Sequence, residues 1–290
     1  MLENIVGFIT TSLLRIAPQH GMAVLMRRLT RIRARWIKNM LIRLYLRRYR
    51  VDLREAALQR PDDYTDFNSF FTRALRSGAR PAVSAADAIA TPVDGVVSAC
   101  GAIAGSRLIQ AKGIDYTLEA LLGDRRLAES FTGGVFATLY LSPRVYHRVH
   151  MPLGGVLRHF RYLPGRLFSV NDYSTRHIPG LFTRNERLVT VFETAAGPMG
   201  VIMVGAIFVA GIETVWTGEC SAERPHGHWN PGAGDVALAR GAELGRFNVG
   251  STVIVLFGPG RVRLAADLRP GKDVRMGESM GIATAFSVPP

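Results

Sequence analysis

"FNVGSTVIVLF", residues 247–257, decides how this 290-residue chain is read. Residues 253–257 form an unbroken apolar run rich in β-branched side chains, and Gly258-Pro259-Gly260 stops it. A run this short between turn residues reads as a buried strand. Yet a glycine and two hydroxyls, Gly250-Ser251-Thr252, stand at its mouth. An ordinary turn entering a strand accounts for them. So does a Gly250–Ser251 peptide bond placed to be broken. The local pattern favours the turn, so the rest of the chain has to decide.

Outward from this strand, everything after Pro81 is short apolar stretches cut by glycine and proline. Strands are expected over 95–100, 135–141, 188–192, 201–209, 252–257 and 261–265. Several alternate with period two, and 30 Gly and 15 Pro supply many turns. The expected class is α+β: a β-rich barrel or sandwich body with an N-terminal amphipathic helical arm. No βαβ alternation, internal repeat, P-loop, GxSxG elbow, HExxH or paired CxxC is present. "DDYTDFNSFFTRALRSGARP" predicts a helix capped by Asp66, ended by Gly78 and buried through Phe67, Phe70 and Phe71. The boundary is placed at Arg60-Pro61, giving an arm over 1–60 and a body over 61–290.

The net charge of +13 is uneven. Residues 1–54 hold twelve Lys and Arg against Glu3 and Asp52, a net +10, whereas the remaining 24 basic and 21 acidic residues leave +3. The apolar stretch over 4–14 is eleven uncharged residues, short of the roughly 20 that a spanning helix needs. Glu3 also stands where an export signal wants positive charge, so neither a span nor a signal is expected. Over 22–50, Leu25, Leu29, Ile32, Trp36 and Met40 recur as one helical stripe, with Arg27, Arg28, Arg31, Arg35 and Lys38 mostly off it. Such a helix suits the surface of an anionic bilayer. Packing on the protein's own core and nucleic-acid binding compete with this. The interleaved Leu, Ile and Met, in place of stacking aromatics, count against nucleic acid.

Three separated stretches hold residues fit for chemistry. Asp94 lies in "TPVDGVV", His147 and His150 in "YHRVHMPLGG", and Ser251 at the strand mouth. Each has a bland reading, as a turn aspartate, loop histidines or a turn serine. The histidine spacing of three could suit a metal, but no third ligand stands near, and no metal is expected. Assembled by the fold, Asp, His and Ser would form a proton relay in which Asp orients His and His activates Ser. Cys100 and Cys220 lack CxxC spacing and read as two reduced thiols, with a single disulfide the competing reading. His226 and His228, an HxH pair in "RPHGHWNPG", read as loop residues.

Taken together, these motifs resemble the pyruvoyl-dependent phosphatidylserine decarboxylase family. The resemblance runs over roughly 66–257 and rests on "DFNSFFTRALRSGARP", "TPVDGVV", "YHRVHMPLGG", "LFSVN" at 167–171, "NERLV" at 185–189 and "GAELGRFNVGSTVIVLF". The basic arm resembles that of proteobacterial members. Val249 stands where the family often has leucine, and Gly154 where it often has aspartate.

The resemblance implies a chain that cuts itself between Gly250 and Ser251 into pieces 1–250 and 251–290. Asp94 and His150 would drive the Ser251 hydroxyl onto the Gly250 carbonyl; β-elimination and loss of ammonia would then leave a pyruvoyl group at 251. That covalent cofactor would take phosphatidylserine through a Schiff base to phosphatidylethanolamine and carbon dioxide, with His147 as proton donor. It further implies attachment to anionic lipid on the cytoplasmic face of the bacterial inner membrane, and a homodimer. Leu167, Phe168, Leu181 and Phe182, beside arginines, are expected at a lipid-facing rim, with interior packing the competing reading. Two other functions stay open: a serine hydrolase using Ser251, His150 and Asp94 on an external ester, and a non-catalytic membrane-surface scaffold. Both would leave the chain whole.

Overall fold

The computed structural model describes residues 19–111, 113–207, 211–220, 236–248 and 251–284. Two arm helices, α1 (Gln19–Thr30) and α2 (Arg35–Tyr49), precede a short α3 (Phe67–Phe71). Next come β1 (Ala88–Ala90), β2 (Gly95–Ala102), β3 (Arg107–Ala111), β4 (Ile114–Thr117), α4 (Leu118–Leu122) and α5 (Arg125–Glu129). The middle of the chain supplies β5 (Val135–Leu141), β6 (Arg148–His150), β7 (Gly155–Leu163), α6 (Asp172–His177), α7 (Leu181–Arg184), β8 (Arg187–Thr194) and β9 (Gly197–Gly205). Short strands β10 (Ile212–Thr214), β11 (Gly218–Cys220), β12 (Ala237–Leu238) and β13 (Glu243–Phe247) lead to β14 (Ser251–Phe257). The last are β15 (Val262–Leu264), β16 (Asp273–Val274) and β17 (Ser279–Ala283).

The apolar run of β14 is explained by its place. An eight-stranded antiparallel sheet has the order β12-β7-β8-β9-β14-β5-β2-β16, so β14 has a strand on each side and is covered on both faces. Val253, Val255 and Phe257 join Leu139, Leu141, Val201 and Met203 in a core shared with Val149, Leu244 and Phe247 of a second sheet, β11-β10-β13-β6. Ile254 and Leu256 point the other way, into a core closed by Leu118, Leu121, Leu122 and Leu181 of the short helices. Burying each such side chain contributes about 1.5–3 kcal/mol. The body is therefore an open sheet, backed by smaller sheets on one face and helices on the other. The α+β, β-rich expectation holds in its sandwich form and not as a closed barrel, because β12 and β16 leave the large sheet with two edges.

Two helix expectations need correction. The stripe over 22–50 is split: α1 ends at Thr30 and α2 begins at Arg35. Thr30 turns its hydroxyl back onto the Met26 carbonyl (2.8 Å), and Arg27/Arg31 and Arg31/Arg35 would set like charges one turn apart in a continuous helix. Asp66 does cap α3, accepting from the Ser69 N–H (2.8 Å), but the helix stops at Phe71 instead of reaching Gly78. Its three phenylalanines are by then spent against Ile42, Tyr45 and Tyr64 in a small third core, and Leu75 goes on to bridge Ala56. That third core draws side chains from both sides of residue 60. Lys38 donates to the Pro61 carbonyl (2.9 Å), Asn39 and Arg35 engage Asp62, and Arg27 and Arg31 pair with Glu219.

Candidate active site

Ser251 is the first residue of β14, paired with Leu141 on β5 and Gly205 on β9. It is fully buried, and its hydroxyl has no hydrogen-bond partner among the described residues. A buried hydroxyl left unpaired costs about 1–3 kcal/mol, so its placement answers to something other than stability. Gly250, on the other side of the expected cut, lies outside the described residues, as do His226 and His228. Asn248 stands just before, buried, with its N–H on the Gly211 carbonyl (3.0 Å) and its Oδ1 accepting from Asn68 (3.1 Å).

The β5–β6 turn delivers both histidines. His147 donates from Nδ1 to the Val145 carbonyl (2.8 Å), and its ring packs on Phe71 with centroids 4.1 Å apart. Its Nε2 is buried and bonds nothing among the described residues. Burial, helped by the buried Arg73 guanidinium, pushes this imidazole down to about 3. The ring is therefore neutral, and its only ring proton is committed to a carbonyl. As built, Nδ1 holds the ring's proton on a carbonyl and Nε2 is the nitrogen left to exchange a proton.

His150 sits differently. Its Nδ1 donates to the Gly241 carbonyl (2.8 Å), and its Nε2 accepts from the Tyr146 hydroxyl (2.8 Å). Burial lowers its pKa, opposed by the Gly241 bond and by the charges of Glu243 and Asp94. Asp94 itself is bound elsewhere. Arg80 grips its carboxylate through Nε (3.0 Å) and Nη2 (2.6 Å), and the Met276 N–H donates to Oδ1 (2.8 Å). Glu55 completes the cluster on Arg80 Nη2 (2.8 Å). The His150 N–H donates to the Pro92 carbonyl (2.9 Å), so the two loops are neighbours. Gly241 and Tyr146 supply the hydrogen bonds of the His150 ring, and Asp94 reaches it through its charge.

Ser251 opens on a cavity of about 430 Å³ whose walls include Met26, Tyr45, Phe67, Phe71 and Val170. A second apolar cavity, about 330 Å³, lies between α1 and α2 and shares Met26, Tyr45, Tyr49 and Phe67 with the first. The path from the serine thus runs between the arm helices. Their outer face exposes Leu25 (57%), Trp36 (72%), Met40 (53%) and Leu44 (64%). Leu25, Trp36 and Met40 are stripe residues, so core packing does not explain the stripe. Phe168 and Phe182, with Leu167 and Leu181, are instead interior. The rim expectation is corrected: the arginines beside Phe168 stack on it, with Arg184 5.0 Å and Arg166 5.6 Å from the ring centroid.

Sequence reasoning missed Tyr146 and Arg80. The tyrosine four residues before His150 was legible as a partner, whereas the Arg80–Asp94 grip joins loops that only the fold brings together.

A family model described as phosphatidylserine decarboxylase matches residues 67–282, and one described as PSD matches residues 9–50. The phosphatidylserine decarboxylase proenzyme of Methylococcus capsulatus is 52% identical over 269 residues, 92% of this chain and 93% of that one. That of Nitrosococcus oceani is 49% identical over 92% of this chain and 88% of its own. That of Alcanivorax borkumensis is 48% identical over 93% and 94%.

Proposed function

Because the chain belongs to the phosphatidylserine decarboxylase family, we propose that it is made as a proenzyme, cuts itself between Gly250 and Ser251, and then converts phosphatidylserine to phosphatidylethanolamine and carbon dioxide. The observation that carries this reading is the Ser251 hydroxyl: fully buried, without a hydrogen-bond partner among the described residues, and open to an apolar cavity walled by the arm.

In the cut, Ser251 Oγ forms a bond to the Gly250 carbonyl carbon and the Gly250–Ser251 C–N bond breaks, turning amide into ester. His150 takes the hydroxyl proton after exchanging its Tyr146 contact, and the nitrogen leaving Gly250 receives a proton in turn. The Asp94 charge beside His150 favours the imidazolium that forms. Glycine at 250 tolerates strained dihedrals and lets the hydroxyl approach.

The site fits the pyruvoyl group of this family at position 251, whose ketone supplies an electron sink that no coded side chain offers. Around that position Phe67, Phe71 and Leu141 exclude water, and Tyr45 and Tyr49 line the way in from the arm. A lipid reaches Ser251 between α1 and α2, without leaving an apolar surround.

The arm holds the enzyme on anionic lipid, peripheral to the cytoplasmic face of the bacterial inner membrane. Among the described residues no helix is long and apolar enough to cross a membrane. The exposed apolar row with Arg43, Arg47 and Arg48 beside it supports attachment at the surface.

Mass spectrometry of the denatured protein tests the reading. The purified chain should give pieces of 250 and 40 residues, the smaller with a blocked N-terminus, and Ser251→Ala should stay whole. An active preparation that weighs as one 290-residue chain refutes it, and a hydrolase or scaffold would give that mass.

A further inference from the structure

We propose that Glu186 is a proton-carrying group of the Ser251 site, which hands its proton to the substrate carbon from which carbon dioxide departs. The proposal rests on the decarboxylase reading and adds a residue to it.

The geometry comes from strand register. Arg187 on β8 pairs with Val204 on β9, and the ladder continues one step, with the Gly205 N–H donating to the Glu186 carbonyl (2.9 Å). Gly205 is in turn the register partner of Ser251. Paired residues of antiparallel strands project to the same face. Two residues further on, that face carries Leu188, Met203 and Val253, all in one core. Glu186, Gly205 and Ser251 are thus one cross-strand row with a gap in the middle.

Glu186 fills the gap. A Cβ at Gly205 would stand 2.8 Å from Glu186 Cγ and 3.0 Å from its Oε1. Paired Cβ positions lie about 4.5–5.5 Å apart, so Oε1 is within roughly 8.5 Å of the Ser251 Cβ. Its neighbours fix it there. Asn185 donates to the Phe168 and Gly205 carbonyls (2.8 and 2.9 Å). Arg187 is spent on the carbonyls of Leu121, Ala120, Thr183 and Asn185.

The chemistry of the carboxyl matches the placement. Glu186 is buried, and among the described residues no cation pairs with it. Its Oε2 accepts from the Tyr162 hydroxyl (2.8 Å), the one titratable group bonded to it among the described residues. Of the adjacent cations, Arg187 faces its four carbonyls and Arg166 lies over the Phe168 ring. Burial pushes the carboxyl up to about 7, so it holds its proton into the neutral range, where the His147 ring is neutral and keeps its proton on the Val145 carbonyl.

As the carbon–carbon bond to the substrate carboxylate breaks, the electron pair stays on the carbon. The Glu186 O–H bond then breaks and its proton joins that carbon. The carboxylate left behind is reloaded from water, and no further reactant is needed.

Infrared spectra of the intact Ser251→Ala chain, with and without Glu186→Gln, read the proton without any turnover. A protonated-carboxyl band that fades above about pH 7 and is missing from the Gln variant is expected. Absence of such a band below that pH overturns the proposal. If Glu186→Gln does not fold, Tyr162→Phe in the same chain decides: losing the donated bond should carry the band to higher pH, and an unmoved band overturns the assignment.

In the self-cleaving chain on phosphatidylserine vesicles, Glu186→Gln should still cut itself and keep its KM, while kcat falls on the order of 10²–10⁴-fold. An unchanged kcat overturns the proposal and leaves the decarboxylase reading standing. A wild-type chain that cuts itself but releases no carbon dioxide refutes that reading, and the proton's destination with it.

Discussion

Charge on the outer face of α2 should set how tightly the protein holds an anionic bilayer. Twelve basic residues crowd positions 1–54, but the structure separates them by what they already touch. Arg27 and Arg31 are taken by Glu219, Arg35 by Asp62, Arg54 by Asp52 and Lys38 by backbone carbonyls. Arg43, Arg47 and Arg48 are exposed on the same helix face as Trp36, Met40 and Leu44. A basic residue near an anionic surface contributes about 1 kcal/mol. Replacing these three by glutamine should therefore remove about 3 kcal/mol, a weakening of vesicle binding on the order of a hundredfold. Co-sedimentation with vesicles rich in anionic lipid reads this directly. The loss should shrink in about 1 M salt, where the screening length falls to roughly 3 Å. It should also be small on zwitterionic vesicles. The control is Arg27→Gln with Arg31→Gln, which loosens α1 from the body but removes little surface charge free for lipid. Equal losses from the two variant sets, or a loss that ignores lipid charge, would refute the reasoning.

Four further outcomes follow from packing and ionisation. Phe168→Ala and Phe182→Ala each empty a buried aromatic site and should cost about 3–5 kcal/mol in thermal unfolding, with activity falling alike on vesicles and on short-chain soluble substrate. Gly205→Ala drives a methyl into Glu186 and should cost about 1–3 kcal/mol in the uncut Ser251→Ala chain. Ile42→Ala should open the small third core, seen as new proteolysis near residue 60 while amide exchange in the large sheet is unchanged. For Glu186 the folded carboxyl titrates near 7 against an ordinary 4.5, so the folded state keeps a proton that the unfolded chain loses first. Stability should fall as pH rises between those values, by up to about 3 kcal/mol, and Glu186→Gln should flatten that slope in a pH series of denaturant melts.

What the sequence made legible follows from how local each signal is. β14 and β5 were readable because continuous apolar runs carry their own burial. β7 was missed: its ladder with β8 shifts register between Leu157 and His159, and Arg158 and Arg161 interrupt the apolar pattern. Phe168 looked like a rim residue because arginines flank it, yet those arginines cover a buried ring. At the site, Ser251 and the two histidines were visible as chemical types. Their hydrogen-bond partners were not, since Gly241 reaches His150 and Arg80 reaches Asp94 from distant parts of the chain. Glu186 acquires meaning only through the pairing of Gly205 with Ser251, which no reading of "NERLV" alone contains.

The central position of β14 bears on what the two pieces are to one another. The segment after the proposed cut contributes β14 to the interior of the large sheet, β16 to its edge beside β2, and β15 and β17 to the sheet that holds β1. Severing the backbone ahead of Ser251 therefore frees a chain end without freeing a subunit. Parting the fragments would strip ladders from both neighbours of β14 and bare its hydrophobic residues to water. Separately synthesised fragments would have to seat that strand between β9 and β5 from another chain, so under the proposed cut a single translated polypeptide serves as an assembly device as well as a precursor.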